Sequence, residues 1–372
     1  MSGSISLGKI FGIEIRLHVS WFLVAALVTA TLALGFFPAK YAGWSTFAYW
    51  VVGAVTAVLF FASVLLHELG HSLVALHEKV PVKSITLFIF GGVSQITAEP
   101  ATAGSEFRIA VTGPMVSFAL AAIFTTLGTA LHSIAYLAAP LVYLGTINLL
   151  LGAFNLIPGF PLDGGRVFRS FLWKTGGNLR SATQWASRIG QVLAFGLILF
   201  GVAQFFLGAG LLGGLWYVFI GWFLNNAAES SYQQVVLRDM LSGVKARDVM
   251  TQQCQTVTAE TPLDRLVEDN ILGQGQRCFF IAEDGDLKGL ITVHNIRHVA
   301  ASRRGEVTAQ QVMTPVDAVH QVYPDEDVMS VLQKMDELDV NQVPVVDDGR
   351  LVGLISRESL LHDIRERAEL KQ

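Results

Sequence analysis

The sequence is poor in charged residues and has almost no cysteine. Only 15% of its 372 residues are charged and 52% are hydrophobic, whereas soluble proteins carry about 25% charged residues. The two cysteines, Cys254 and Cys278, do not form the disulfide framework of a secreted domain, and they favour a reducing compartment. The amino terminus lacks the cationic start and the small-residue cleavage site of a signal peptide. This composition excludes an ordinary soluble protein and predicts a membrane protein.

The charges are unevenly distributed along the chain. Residues 1–240 hold 12 lysines and arginines and 8 acidic residues, whereas residues 241–372 hold 14 and 22. No segment has the dense basic character of a nucleic-acid-binding surface. We therefore predict a membrane domain at residues 1–226, a linker at residues 227–243 and a soluble, acidic last third.

Six apolar segments are candidates for membrane-spanning helices, at about residues 19–37, 46–76, 107–131, 134–154, 189–207 and 211–225. A spanning helix needs about 20 residues, so the sixth segment is marginal. Residues 4–16 and 83–97 instead alternate between apolar and polar side chains, which indicates strands. The predicted fold is a polytopic α-helical membrane domain of about six transmembrane helices with a short membrane-associated β element, followed by an α/β domain.

Basic residues lie mainly in the loops on one side of this predicted bundle. The loops at about 77–106 and 155–188 hold seven of the basic residues, whereas the opposite loops hold only Lys40. Cytoplasmic loops carry an excess of lysine and arginine in membrane proteins. We therefore expect a multi-pass protein of the cell membrane with both termini in the cytoplasm.

The last third contains an internal repeat. The sequence D-V-M-T at residues 248–251 recurs as Q-V-M-T at 311–314, and G-L-I-T at 289–292 recurs as G-L-I-S at 353–356. The offsets of 63 and 64 residues indicate one α/β unit of about 60 residues that is used twice.

The motif H-E-x-x-H occurs at residues 67–71, within the second apolar segment. On a helix, His67 and His71 are one turn apart on the same face, the spacing that allows two imidazoles to share a zinc ion. Glu68 lies beside them, where a carboxylate can accept a proton from water at the metal. Ionisable residues are costly within a bilayer, so a functional site is favoured over a pair of interfacial histidines.

A catalytic zinc site usually has three protein ligands, and the candidate for the third is Asp163. It is the only acidic residue between Glu106 and Glu229, and a carboxylate oxygen is an acceptable zinc ligand. Asp163 is also suited to cap a helix, a role compatible with metal binding. Asn155 is a candidate for positioning the substrate or for ending a helix.

Two motifs together resemble those of the site-2 proteases, the intramembrane zinc metalloproteases. H-E-L-G-H at residues 67–71 and N-x-x-P-x-x-P-L-D-G-G at residues 155–165 occur in the order and setting of that family, and Gly113-Pro114 fits its pattern. The resemblance covers residues 1–226. It implies one zinc ion per chain, with Glu68 as the general base and three zinc ligands, His67, His71 and Asp163.

The same resemblance implies a substrate class. Site-2 proteases cut within or near a transmembrane helix of a single-pass protein, usually after another protease has trimmed it. The substrate helix must unwind, and an edge strand at residues 85–97 would hold the unwound segment by strand addition. Gly91 and Gly92 in this region are therefore substrate-positioning candidates.

The repeats at residues 244–300 and 307–365 resemble a tandem pair of CBS domains, which implies a regulatory or dimerisation module. CBS domains that bind adenine nucleotides usually have an aspartate three residues after the Thr or Ser of their G-h-h-T/S motif. Asn295 and Ser359 occupy those positions here. We therefore expect weak adenine-nucleotide binding or none, and the ligand-binding residues of the pair stay unassigned.

Two other classes of protein are compatible with parts of the sequence. A membrane transporter or channel gated by CBS domains would explain the helices and the repeats but not the H-E-x-x-H and L-D-G motifs. A catalytically inactive membrane scaffold is disfavoured by the intact Glu68. The leading hypothesis is an intramembrane zinc endopeptidase with a cytoplasmic CBS pair.

Overall fold

The computed structural model describes residues 3–89, 91–96, 98–207, 211–251, 256–268, 278–283, 286–338 and 340–360. Cys254 lies outside these ranges. The chain forms two compact units, Met1–Val235 and Val236–Gln372.

The first unit is mainly helical. Its helices are α1 (Val19–Thr31), α2 (Phe37–Lys40), α3 (Thr46–His77), α4 (Ala103–Ala130), α5 (Ala135–Asn155), α6 (Asp163–Gly176), α7 (Leu179–Phe206) and α8 (Leu211–Leu241), the last of which extends past the end of the unit. A π-helical turn at Leu32–Phe36 joins α1 to α2 without a break. Hydroxyl side chains begin two of the long helices, since Ser45 accepts a hydrogen bond from the Ala48 amide and Thr102 accepts one from the Ser105 amide.

Five apolar helical stretches in the described part of the chain are long enough to cross a membrane: Val19–Lys40, α3, α4, α5 and α7. The sixth predicted segment, residues 211–225, forms the first half of α8, which is not among these five. The predicted linker at residues 227–243 is helical as far as Leu241. Residues 227–241 contain no glycine or proline that would end a helix.

A four-stranded sheet accompanies the helices, as the alternating segments predicted. It contains β1 (Ser4–Ile10), β2 (Ile13–His18), β3 (Val82–Phe88) and β4 (Gly91–Ile96) in that order, with β2 parallel to β3 and the other pairs antiparallel. Ile13, Ile15 and Ile85 pack against Leu69 of α3. The sheet therefore lies against the part of α3 that carries the H-E-x-x-H motif, with β4 at its edge.

The second unit contains the repeat as two α/β halves. The first half contains α9 (Ala246–Val249), β5 (Thr256–Val257), α10 (Leu263–Arg265), β6 (Cys278–Glu283), β7 (Asp286–Thr292) and α11 (Val293–Arg297). The second half contains α12 (Ala309–Val312), β8 (Thr314–Pro315), α13 (Val328–Glu337), β9 (Gln342–Asp347) and β10 (Arg350–Ser356). The strands form one six-stranded sheet in the order β5-β6-β7-β10-β9, with β8 paired to β7.

The two halves of this unit interlock through their methionines. Met250 of the first half lies against Gly353 of the second, where an added Cβ would come within 2.6 Å of its sulfur. Met313 of the second half lies in the same way against Gly289 of the first, with the corresponding distance 2.7 Å. The repeated methionines thus pack against the cores of the unit and join its two halves.

Candidate metal centre

The structure brings together the three predicted metal ligands. His67 and His71 project from one face of α3 and are each 4% exposed, and Asp163 is the first residue of α6. The Nε2 atoms of both histidines lie 3.1 Å from Oδ2 of Asp163, and the two Nε2 atoms lie 3.3 Å apart. The fold therefore closes a sequence separation of more than 90 residues.

The donor set and its geometry fit zinc. Two imidazole nitrogens and a carboxylate oxygen are usual zinc ligands, and tetrahedral bonds of about 2.0–2.1 Å place neighbouring donor atoms about 3.3 Å apart. The separations of 3.1 and 3.3 Å match this value. Among the histidine, cysteine and acidic side chains in the described part of the chain, His67, His71 and Asp163 form the group whose spacing would allow it to hold a metal ion.

Hydrogen bonds from α4 orient the two imidazoles. Nδ1 of His71 donates to the Ile109 carbonyl at 2.7 Å, which leaves its Nε2 lone pair free for a metal. Nδ1 of His67 lies 2.9 Å from the Ser117 hydroxyl. Metal-binding histidines commonly make this type of supporting contact.

Gly113 of α4 keeps open the space in front of both histidines. A Cβ atom at this position would lie 2.1 Å from Nε2 of His71 and 2.7 Å from Nε2 of His67. No larger residue fits without displacing the imidazoles. The space that a metal ion needs therefore depends on a glycine that the sequence indicated only through the family resemblance.

The two imidazoles favour the ionised form of Asp163. Burial alone would raise the pKa of Asp163, but its contacts with His67 and His71 hold the pKa below its ordinary value. An ionised carboxylate is the form that binds a metal ion.

Glu68 is held by the edge strand. Its Oε2 accepts a hydrogen bond of 2.7 Å from the Ser94 hydroxyl of β4, and Ser94 in turn accepts one of 3.2 Å from Ser72. A Cβ atom on Gly92 would lie 2.5 Å from Cγ of Glu68. The sequence did not indicate Ser72 or Ser94, because their partners lie more than 20 residues away in the chain.

The two glycines at the start of β4 have separate structural roles. Gly91 has a φ of +126°, a conformation that favours glycine, and Gly92 allows β4 to approach Glu68 closely. Asn155 is the last residue of α5, and its amide donates to the Leu151 carbonyl at 3.0 Å. This contact is typical of a helix end, and substrate positioning by these three residues stays a prediction.

The fold and the site define a protein with helices long enough to span a membrane and a His-His-Asp centre whose two histidines are buried. The sequence model described as Peptidase family M50 matches residues 55–139 and 129–197, and the CBS domain model matches residues 246–302 and 309–366.

Known proteins match almost the whole chain. A candidate zinc metalloprotease, Rip3 of Mycobacterium tuberculosis, is 36% identical over 96% of this chain and 91% of its own length. A zinc metalloprotease of Methanocaldococcus jannaschii is 33% identical over 97% of this chain and 96% of its own length. The solved structure of a site-2 protease from the same archaeon is 32% identical, covering 62% of this chain and 95% of that one with a TM-score of 0.43.

The matching sequence models and the two relatives that match along almost their whole length establish the family. The chain belongs to peptidase family M50, the site-2 proteases, and it carries a tandem pair of CBS domains. It is a multi-pass membrane metalloprotease, as the sequence motifs predicted.

Proposed function

We propose that the protein is an intramembrane zinc endopeptidase that cleaves transmembrane segments of membrane proteins. The observation that carries this proposal is the set of His67, His71 and Asp163, in which the two histidines are buried on a helix long enough to span a membrane, next to Glu68. One such set in the described residues supports one zinc ion per chain.

The side chains of the site divide the chemical work. When bound, zinc would polarise the scissile carbonyl and lower the pKa of a water molecule. Glu68 accepts the proton of the attacking water and returns it to the leaving amine. Ser94 holds one oxygen of that carboxylate, so that its orientation is set before substrate binds.

We propose that the substrate binds along β4 in an extended conformation. β4 pairs with β3 on one side and lies at the edge of the sheet that the described residues form. An edge strand offers unpaired backbone groups to an extended peptide, and Gly91 and Gly92 add no side chain of their own to this backbone. The expected partner is a single-pass membrane protein that another protease has already trimmed, with Asn155 contacting its backbone.

The CBS pair is proposed to act as a cytoplasmic regulatory or dimerisation module. The two positions at which nucleotide-binding members have a carboxylate make local hydrogen bonds here, because Asn295 donates to the Thr314 hydroxyl at 3.3 Å and Ser359 donates to the Ser356 carbonyl at 2.9 Å. These contacts support weak adenine-nucleotide binding or none. The basic loops support the placement of both termini in the cytoplasm.

Paired variants of Glu68 and Asp163 test the proposed function. In the purified protein reconstituted into liposomes with a single-pass substrate, Glu68→Gln should keep its zinc and lose cleavage by about 10²–10⁴-fold, the typical contribution of a general base. Asp163→Ala should lose zinc as well as activity. Cleavage by Glu68→Gln at the wild-type rate, or full zinc content in Asp163→Ala, would contradict the assigned roles. Solute transport without cleavage would instead favour a CBS-gated transporter.

A further inference from the structure

One face of the first half of α4 supports the metal centre. Ile109 accepts the hydrogen bond from one imidazole, Gly113 leaves space for both, and Ser117 contacts the other. Residues spaced by three, four or seven positions share a helix face. Glu106, one turn before Ile109, therefore begins the same stripe.

Glu106 is fully buried in the first turn of this helix and pairs with α6. Its Oε1 accepts a hydrogen bond of 2.6 Å from Nε of Arg169, which also contacts it through a second nitrogen, and Nε of Arg166 lies 4.0 Å away. Arg169 is itself 6% exposed and lies over the Phe160 ring at 5.2 Å. The other carboxylate oxygen of Glu106 has no hydrogen-bond partner among the described residues. The carboxylate is thus committed to the arginines of α6.

The ion pair lies on the helix that delivers the third metal ligand. Asp163 begins α6, and Arg166 and Arg169 follow it after three and six residues, within its first two turns. Gly164 and Gly165 pack directly against the backbone of the preceding loop, where added Cβ atoms would lie 2.3 and 2.5 Å from it. This packing fixes where the first turn of α6 lies. The Glu106 contact, nearly two turns further on, fixes how the helix is rotated.

We propose that the buried Glu106–Arg169 pair is a positioning device that holds Asp163 against the two histidines and thereby sets zinc affinity. The inference rests on the proposed function of the His67, His71 and Asp163 set as the zinc site. Neither Glu106 nor Arg169 is a ligand. The pair holds α6 against the same face of α4 that orients the imidazoles, so α4 positions all three metal ligands. A buried charge left without its partner is unfavourable. Positions of α6 that separate Arg169 from Glu106 are therefore disfavoured.

Zinc affinity, measured by chelator competition on the full-length protein in lipid nanodiscs, tests this role without any cleavage assay. Glu106→Gln should weaken zinc binding by about tenfold or more, within the 10–100-fold range of residues that support metal ligands. In the cobalt-substituted protein, the same change should alter the visible absorption bands of the tetrahedral metal site.

A double variant separates positioning from general stability. Glu106→Gln with Arg169→Met removes both buried charges of the pair together, so most of the thermal midpoint should be recovered. Zinc binding should nevertheless stay weakened. A double variant that folds and binds zinc as tightly as the wild type would overturn the proposal. If Glu106→Gln alone does not fold, the zinc affinity of the double variant is the deciding measurement.

Glu78→Gln is the matched control. Glu78 follows α3 and makes a two-hydrogen-bond ion pair with Arg108 of α4 at 2.7 Å, but it does not involve α6. The zinc affinity and cobalt spectrum of Glu78→Gln should equal those of the wild type. A loss of zinc affinity in this control as large as that in Glu106→Gln would overturn the specific role of Glu106. A wild-type protein that binds no zinc would refute both the inference and the proposed function, whereas zinc binding without cleavage would refute only the function.

Discussion

At the scale of single residues, the side chains around the metal centre each have a second interaction that restricts their orientation. The imidazoles of His67 and His71 are anchored through Nδ1 to Ser117 and Ile109. Glu68 is anchored through Oε2 to Ser94. Restricting the reacting groups before substrate binds reduces the cost of aligning them during the reaction.

Replacing Ser94 tests whether the anchor of Glu68 matters for turnover. Ser94→Ala should lower kcat by about tenfold while zinc content stays unchanged, because a misplaced catalytic group costs rate and not metal binding. Ser94→Thr, which retains the hydroxyl, should recover most of the loss.

Ser63→Ala is a suitable control for this experiment. Ser63 is a buried serine of α3, and its hydroxyl donates to the Leu59 carbonyl of the same helix. The control should cleave substrate at the wild-type rate. Equal kcat values for Ser94→Ala and the wild type would show that the hydrogen bond to Glu68 has no catalytic role.

The sequence predicts the ligands of this site better than their supports. His67, Glu68 and His71 fall within one helical turn, so a local pattern reveals them. Asp163 is recognisable because acidic residues are rare in the membrane part. The roles of Ser94, Ser117 and Glu106 depend on contacts between segments 26 to 63 residues apart. No local periodicity encodes such contacts, so they were not predicted.

At the scale of helices and strands, the site depends on close approach between neighbouring elements. α4 packs against α3, α5 and α6, and Gly113 lies where α4 meets the histidine face of α3. β4 approaches the same helix from another side through Gly92. Small residues allow backbones to come close in membrane proteins, and here that closeness leaves room for the metal and the general base.

Gly113→Ala should abolish tight zinc binding. The added methyl group would occupy the space 2.1 Å from Nε2 of His71, so the imidazoles must rotate away or the helices must separate. Zinc content of the purified variant is the direct measurement. Gly196→Ala in α7 is the matched control, because its added Cβ meets no atom within 4 Å, and it should retain zinc fully. Stoichiometric zinc in Gly113→Ala would show that the metal lies elsewhere.

At the scale of the whole molecule, the order of the two parts follows from composition and repetition. Long apolar runs and a repeat of about 60 residues are visible without any tertiary information, so the membrane part and the CBS pair were both predictable. The end of the membrane part was less so. Residues 227–241 lie between the last apolar segment and the first repeat, which suggested a linker, yet their lack of glycine and proline lets α8 continue through them.

Cysteine labelling of whole cells tests the proposed orientation in the membrane. In a background without Cys254 and Cys278, Ala42→Cys should react with a membrane-impermeant maleimide from outside. Thr175→Cys, an exposed position at the end of α6, should react only after the membrane is permeabilised. The basic residues of the loop around α6 are the reason for this expectation. Labelling of position 175 in intact cells would contradict the proposed orientation and indicate the opposite one.

The CBS pair should bind adenine nucleotides weakly or not at all. A carboxylate at positions 295 and 359 would accept charge-assisted hydrogen bonds from ribose hydroxyls, whereas Asn295 and Ser359 already make hydrogen bonds within their own unit. Calorimetry on the full-length protein with ATP and AMP should therefore show no micromolar binding. The variant with Asn295→Asp and Ser359→Asp should bind more tightly than the wild type if the missing carboxylates are the cause. A ligand can regulate cleavage only by binding two states of the protein with different affinities. Micromolar nucleotide binding to the wild type that also changed its cleavage rate would therefore identify the CBS pair as a nucleotide sensor.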